Sequence, residues 1–120
     1  MSFSQRIRPF VDAELSAARA CAAAGDDATA FGHLERAHVA GQAATTQHVR
    51  VHWAMLRWGL ARRDAREVFG QLFRIAGAAT KTVFGLVPQG NTGGANVSAV
   101  KPMPIPPDLA EVIAVAQRRP

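Results

Sequence analysis

An internal repeat divides the first two-thirds of this chain into two similar halves. The run Gly25-Asp26, followed by Phe31-Gly32, is matched 38 residues later by Arg63-Asp64, followed by Phe69-Gly70. Each copy reads as a helix, a short turn that contains an aspartate, and a second helix. Two stacked units of this kind make a four-helix bundle, so the repeat predicts an all-α fold.

Helix start and stop residues give the boundaries of the units. Proline is favoured in a first helical turn, Asp and Thr as N-caps, and glycine just past a C-terminus. In chain order the markers are Pro9, Gly25, Asp26, Gly41, Thr45 or Thr46, Arg62, and Asp64 in a capping-box-like pair with Glu67. The bundle is predicted over 9–84. Each half resembles a tetratricopeptide-like hairpin, whose repeat is about 34 residues.

The fourth predicted helix has the clearest amphipathic period in the chain. Apolar residues recur three and four positions apart on one face, and polar residues occupy the other. The apolar face comprises Val68, Phe69, Leu72, Phe73, Ile75, Ala76, Ala79 and Val83. The polar face comprises Glu67, Gln71, Arg74, Ala78 and Lys81. The width of the apolar face favours the hypothesis of a homodimer.

The segment 85–107 differs in composition from the predicted helices. Glycines and asparagines recur up to residue 96, and four prolines follow between 102 and 107. This pattern predicts turns and then an extended, polyproline-like strap across the bundle. A long loop in a small domain is often functional, and Asn96 or Ser98 is predicted to reach over the site as a lid. A short helix is predicted over 108–117, which completes one domain over 1–120.

Composition excludes some classes of protein and leaves others open. The net charge is +5, and we interpret most arginines as solvated helix faces. One cysteine, Cys21, excludes an internal disulfide and fits a reducing compartment. No signal peptide and no membrane-spanning stretch is predicted, so we expect a cytoplasmic protein.

Three strings of residues resemble a small bacterial family that is known only as a domain of unknown function. They are HLERAH at 33–38, HVRVHW at 48–53, and GNTGGANVS at 90–98 followed by PMPIPP at 102–107. The resemblance extends over nearly the whole chain. It implies a cytoplasmic bacterial protein, and it implies no activity.

Five side chains able to bind a metal lie on helix faces that are predicted to be buried. At 100° per residue, Glu35 and His38 share the apolar sector of the second helix, and His33 points the other way. On the third helix, His48 and His52 share one stripe. The fifth is Glu14, in the apolar stripe of the first helix. Buried polar groups need partners, so these residues predict a common site.

The level of each residue along the bundle supports one site. A short turn near Ala43 makes the second and third helices antiparallel, which brings His38 beside His48. His52 lies a turn deeper, near the level of Glu35. The turn at Gly25 brings Glu14 close to the level of His38.

Imidazole and carboxylate groups are the ligands of divalent transition metals, with zinc and iron favoured here. Glu35-x-x-His38 is similar to half of a di-iron bundle motif, and since the motif occurs once, one ion is predicted rather than two. Two alternatives stay open. In the first, the residues form a structural network without a ligand, in which His38 donates to Glu14 or Glu35 and His48 to a carbonyl near the turn, or in which Glu14 pairs instead with an arginine. In the second, the same groups hold a small organic molecule.

Three functions follow from these patterns. The first is a small metal-binding protein, either a metal-dependent enzyme or a metal handler. The second is a tetratricopeptide-like interaction module with a structural His/Glu network. The third is a nucleic-acid accessory protein with a basic ridge of Arg57, Arg62, Arg63 and Arg66, which lacks the interleaved aromatics of a single-strand binder. The sequence shows no Ser-His-Asp or Cys-His grouping typical of nucleophilic catalysis, so no catalytic residue is predicted.

Overall fold

The computed structural model describes residues 1–81, 88–98 and 101–118, without the side chains of residues 80 and 81. Five helices make up its regular structure: α1 Phe3–Ala23, α2 Asp27–Gly41, α3 Thr45–Ala61, α4 Ala65–Lys81 and α5 Pro107–Gln117. The described part of the chain contains no strand, which confirms the all-α prediction. The predictions for residues 82–87 and 99–100 lie outside this part.

The helices pack as two antiparallel hairpins with a shorter helix against them. α1 packs mainly on α2, α3 packs mainly on α4, and α2 and α3 join the hairpins, while α5 lies on α1 and α2. Arg36 of α2 ties α5 to this arrangement, because it contacts both Glu14 of α1 and Asp108 of α5. The predicted bundle with a short C-terminal helix is confirmed.

The start of α1 differs from the prediction. The helix begins at Phe3, and Ser2 and Gln5 form a reciprocal capping box that satisfies the first backbone N–H groups. Pro9 is therefore inside the helix, on its exposed side. Buried Ile7 and Val11 on either side hold the backbone helical across the proline. The predicted threonine cap of α3 is also wrong, since Ala44 is the N-cap.

The apolar core lies between α1, α2, α3 and α5. Its fully or nearly fully buried members are Ile7, Val11, Leu15, Ala18, Leu34, Ala37, Val39, Ala40, Val51, Met55, Leu109 and Ala116. Within the described residues, this cluster receives no side chain from α4. The large side chains that α4 buries are therefore polar rather than apolar.

α4 turns its polar face inward. Glu67 and Gln71 are buried, together with the small Ala78, while Phe69 and Phe73 are exposed. An amphipathic helix ordinarily buries its apolar side. The inward face of α4 is polar because its partners are polar. Gln71 bonds to His52 and to the carbonyl of Gly93, and Glu67 accepts from the N–H of Ala95.

The internal repeat corresponds to two equivalent turns. Gly25 after α1 and Arg63 after α3 both adopt positive φ, 81° and 56°. In each turn the following aspartate N–H donates at 2.9 Å to a carbonyl in the last turn of the preceding helix. Asp26 and Asp64 then cap α2 and α4 through their side chains. Together with the bonds from Gly25 N–H to the Ala22 carbonyl and from Arg63 N–H to the Leu60 carbonyl, this is the Schellman C-terminal motif, which favours glycine at the position that Arg63 holds.

We expect Arg63→Gly to be more stable than Arg63→Ala by about 1 kcal/mol, because only the glycine relieves the left-handed strain. Both variants remove the same charge, so their difference isolates the backbone effect. Urea unfolding of the two proteins measures it. Equal stabilities would contradict the strain at this turn.

Candidate metal centre

Three histidines meet at one point in the interior. The Nε2 atoms of His38, His48 and His52 form a triangle with 3.0 Å on every side. All three side chains are buried. Two histidine nitrogens that share an ion at a bond length of about 2.05 Å lie roughly 2.9 Å apart at a right angle and 3.3 Å apart at the tetrahedral angle. The triangle therefore has the size of one face of a metal coordination shell.

The positions of these rings follow from the helix geometry. His48 and His52 are one turn apart on the inner face of α3, and His38 is on the last turns of α2. The short antiparallel connection brings the three residues to the same level. The ring planes are tilted by 42° to 69° from one another, so that edges rather than faces converge.

The outer nitrogens of two rings are fixed by hydrogen bonds. His38 Nδ1 donates to the carbonyl oxygen of Asn91 at 2.6 Å, and His52 Nδ1 donates to Oε1 of Gln71 at 2.6 Å. The Gln71 amide is oriented from its other end, since its Nε2 donates to Glu67 at 2.8 Å and to the Gly93 carbonyl at 2.9 Å. Both rings therefore carry their proton on Nδ1 and present an unprotonated Nε2 to the centre.

This arrangement is suited to hold a cation at the centre. The lone pairs of His38 and His52 face each other at 3.0 Å, and in the neutral state His48 supplies at most one proton for the three contacts. Protonation does not solve the problem, because burial lowers the pKa of all three imidazoles, that of His48 to about 3 and that of His52 to about 4. A bound metal ion satisfies three neutral Nε2 donors without charging them.

The loop 88–98 lies against His38 of α2 and against Gln71 and Glu67 of α4. Gly90 N–H donates to Gln42, and the Asn91 side chain donates to the carbonyls of Ser98 and Lys101, which fixes the loop. At Gly93 the backbone touches the ring of His38, since a Cβ there would lie 2.5 Å from Cδ2. The loop residues in contact with His38 are thus Asn91 and Gly93, whereas the sequence predicts Asn96 or Ser98 as the lid.

The two predicted carboxylates lie outside the histidine triangle. Glu14 accepts from Nδ1 of His33 at 2.7 Å and from Nε of Arg36 at 2.9 Å. Glu35 is half-buried on α2, where burial raises its pKa against the opposing effect of Thr92. Among the residues that the structure describes, only the three histidines gather within 4.8 Å as a metal-binding group.

Four residues of the site are missing from the candidates that the sequence suggests. They are Glu67, Gln71, Asn91 and Gly93. The first two are visible in the sequence as the polar face of α4, which a short antiparallel turn places opposite His52. A polar stripe on the neighbour of a histidine-bearing helix is the pattern that would have identified them.

The fold and the site together define an all-α bundle protein with a buried three-histidine centre. The chain belongs to the family described as Protein of unknown function (DUF3703), which it matches over residues 5–113. It matches no curated protein and no solved structure. Across the described residues, no helix has both the length and the apolar character to span a membrane.

The metal-free protein should lose stability as the pH falls below about 6.5. The pKa values of His48 and His52 are lower in the folded state, so the unfolded chain binds more protons between pH 6.5 and about 4. Each such histidine contributes a slope of roughly 1.4 kcal/mol per pH unit to the free energy of unfolding. Urea unfolding at several pH values measures this slope.

His48→Gln should reduce the slope by about one histidine's share, roughly 1.4 kcal/mol per pH unit. His33→Gln is the matched control, because His33 lies outside the triangle beside Glu14. A slope that His48→Gln leaves unchanged would show that the cluster titrates like exposed histidines.

Gly93→Ala should destabilise the protein by about 2 kcal/mol, because φ is +84° and the new methyl group meets the His38 ring. Gly32→Ala is the control within α2, where an added Cβ meets nothing within 4 Å. That change should stabilise the helix by about 0.5–1 kcal/mol. Thermal unfolding compares the two, and a neutral Gly93→Ala would argue against the close approach of the loop.

Proposed function

We propose that this protein binds one divalent transition metal ion through Nε2 of His38, His48 and His52. The observation that carries the proposal is the convergence of three buried Nε2 atoms while two of the rings are held in the ligating tautomer from outside. Three neutral imidazoles suit zinc and iron, the metals that the sequence favours.

The contacts behind the ligands support metal binding over a simple polar network. A ligating histidine normally donates its other ring nitrogen to a carbonyl or carboxylate, which fixes the ring and makes it a better donor. Asn91 provides the carbonyl for His38, and Gln71 provides an amide oxygen for His52. Glu67 in turn orients Gln71. The hydrogen bonds thus run from His52 to Gln71 and from Gln71 to the buried carboxylate of Glu67.

The number of ligands supports an ion with a free coordination position. The described residues include every His, Cys, Asp and Glu of the sequence, and three histidines alone form the metal-binding group. Structural zinc sites use four protein ligands, whereas catalytic sites use three and leave a position for water or substrate. We therefore propose an exchangeable site, which serves a metal-dependent enzyme or a metal handler.

Glu35 enters the proposal as a neighbour and not as a ligand. It lies one helical turn before His38 on α2, and it is outside the group of potential ligand atoms. Burial raises the pKa of Glu35, so this carboxyl binds a proton more readily than an exposed carboxyl does. Glu14 is left out, because His33 and Arg36 already engage it.

Metal analysis of the untagged protein tests the proposal. We expect one equivalent of metal per chain after loading with zinc or iron(II). Alanine at any one of the three cluster positions should weaken binding by at least about 100-fold, since each position supplies one of three bonds. His33→Ala is the matched control, a histidine that the triangle does not include, and it should bind normally.

A second variant separates metal binding from folding. Gln71→Leu keeps all three histidines but removes the acceptor for His52, and it should weaken binding by about 10- to 100-fold. A wild-type protein that takes up no metal while its circular dichroism is fully helical would refute the proposal. Equal binding by wild type and the three alanine variants would do so as well.

A further inference from the structure

The outer face of α4 exposes large apolar side chains side by side. We define this face by Phe69, Leu72 and Phe73, which are 71%, 48% and 68% exposed. They are consecutive positions of one helical stripe, so they form a patch and not scattered surface residues. Exposed apolar patches of this kind generally mark an interaction surface.

α4 cannot remove the patch by turning over. Gln71 on the opposite side donates to Glu67 and Gly93 and accepts from His52. The Glu67 carboxylate accepts from the N–H of Ala95. A rotation that buried Phe69 would leave these buried polar groups without partners, which is more costly than an exposed ring.

The stripe is complementary to a second copy of itself. Its large side chains are in the first half of α4, and exposed Ala76 and Ala79 continue it in the second half. In an antiparallel pair centred between Leu72 and Phe73, Phe69 of each copy lies opposite Ala76 of the other copy. Large residues then meet small ones, and Leu72 meets Phe73.

Charge also favours the antiparallel pair. Arg66 is the charged residue next to the stripe at its N-terminal end. In the antiparallel arrangement the two copies of Arg66 are about 20 Å apart along the helix axis, because 13 helical steps separate them. A parallel arrangement would set the two cations side by side and stack the Phe residues on each other.

The area of the patch is at the lower end of what a dimer needs. With each Phe at roughly 200 Å² and Leu somewhat smaller, the three defining side chains expose about 350 Å² in one copy. Two copies therefore bury about 700 Å² from these residues, and the alanines and the stems of flanking side chains add to this toward the roughly 1,000 Å² that a specific interface should exceed.

We propose that the outer face of α4 is a two-fold interface between two copies of this chain, with the two α4 helices antiparallel about Leu72 and Phe73. Charge-free apolar side chains at the centre and cations at the far edges are the usual layout of such an interface.

Sedimentation of the full chain at micromolar concentrations tests the interface. The wild type should be a dimer, and the double variant Phe69→Glu with Phe73→Glu should raise the dissociation constant by at least 100-fold. Trp53→Glu is the matched control. It is an aromatic residue on α3 that is 55% exposed and lies beside Leu15 and Arg19 of α1, away from α4, so it should leave the dimer intact.

Disulfide cross-linking tests the register. In a Cys21→Ala background, a mixture of Phe69→Cys and Ala76→Cys chains should form a mixed cross-linked dimer faster than either variant alone. Self-linking of Phe69→Cys would instead indicate a parallel pair and overturn the proposed geometry.

Three results would overturn the interface. They are a monomeric wild type, a dimer that survives both glutamates, and a monomer that binds anionic lipid vesicles through Phe69 and Phe73. The glutamate variants keep the three histidines and Gln71. Metal uptake by these variants therefore distinguishes a failure of the interface from a failure of the metal site.

Discussion

The hydrogen bond between His52 and Gln71 connects the two halves of this protein. On one side it sets the tautomer of a histidine whose Nε2 points at the cluster. On the other it decides which face of α4 is buried, because Gln71 lies in the interior with Glu67 while the aromatic residues of the helix lie outside. α3 and α4 are therefore joined by a polar contact where a helical hairpin ordinarily has an apolar one.

The number of N–H groups in the cluster explains why the hydrogen bond between His52 and Gln71 matters for the chemistry of the site. Each neutral imidazole has one N–H, and two of the three rings use theirs on partners outside the triangle. What remains at the centre is an excess of lone pairs in a buried place, where burial also opposes protonation. Such an arrangement is unfavourable by itself, and a cation among the three Nε2 atoms would relieve it, which is the physical basis of the proposed metal site.

Much of the site could be predicted from local rules. The 3.6-residue period and a short turn suffice to bring His38, His48 and His52 together and to turn His33 away. The rules fail for Glu14, because they place it at the right level along the bundle without giving the direction of its side chain. The carboxylate accepts hydrogen bonds from His33 and Arg36. They also fail to orient α4, since periodicity defines two faces without saying which one is buried. That choice depends on non-local groups, the carbonyls of the loop 88–98 among them.

The reversed helix links the interior site to the protein surface. Buried polar groups on α4 are satisfied by the histidine cluster and by the covering loop, so Phe69, Leu72 and Phe73 lie on the exposed side of the same helix. A monomer bears the cost of this exposure in water, whereas an assembly recovers it by burying the same side chains. The site and the outer face of α4 are therefore two consequences of one helix orientation, and a sequence that specifies the first also produces the second.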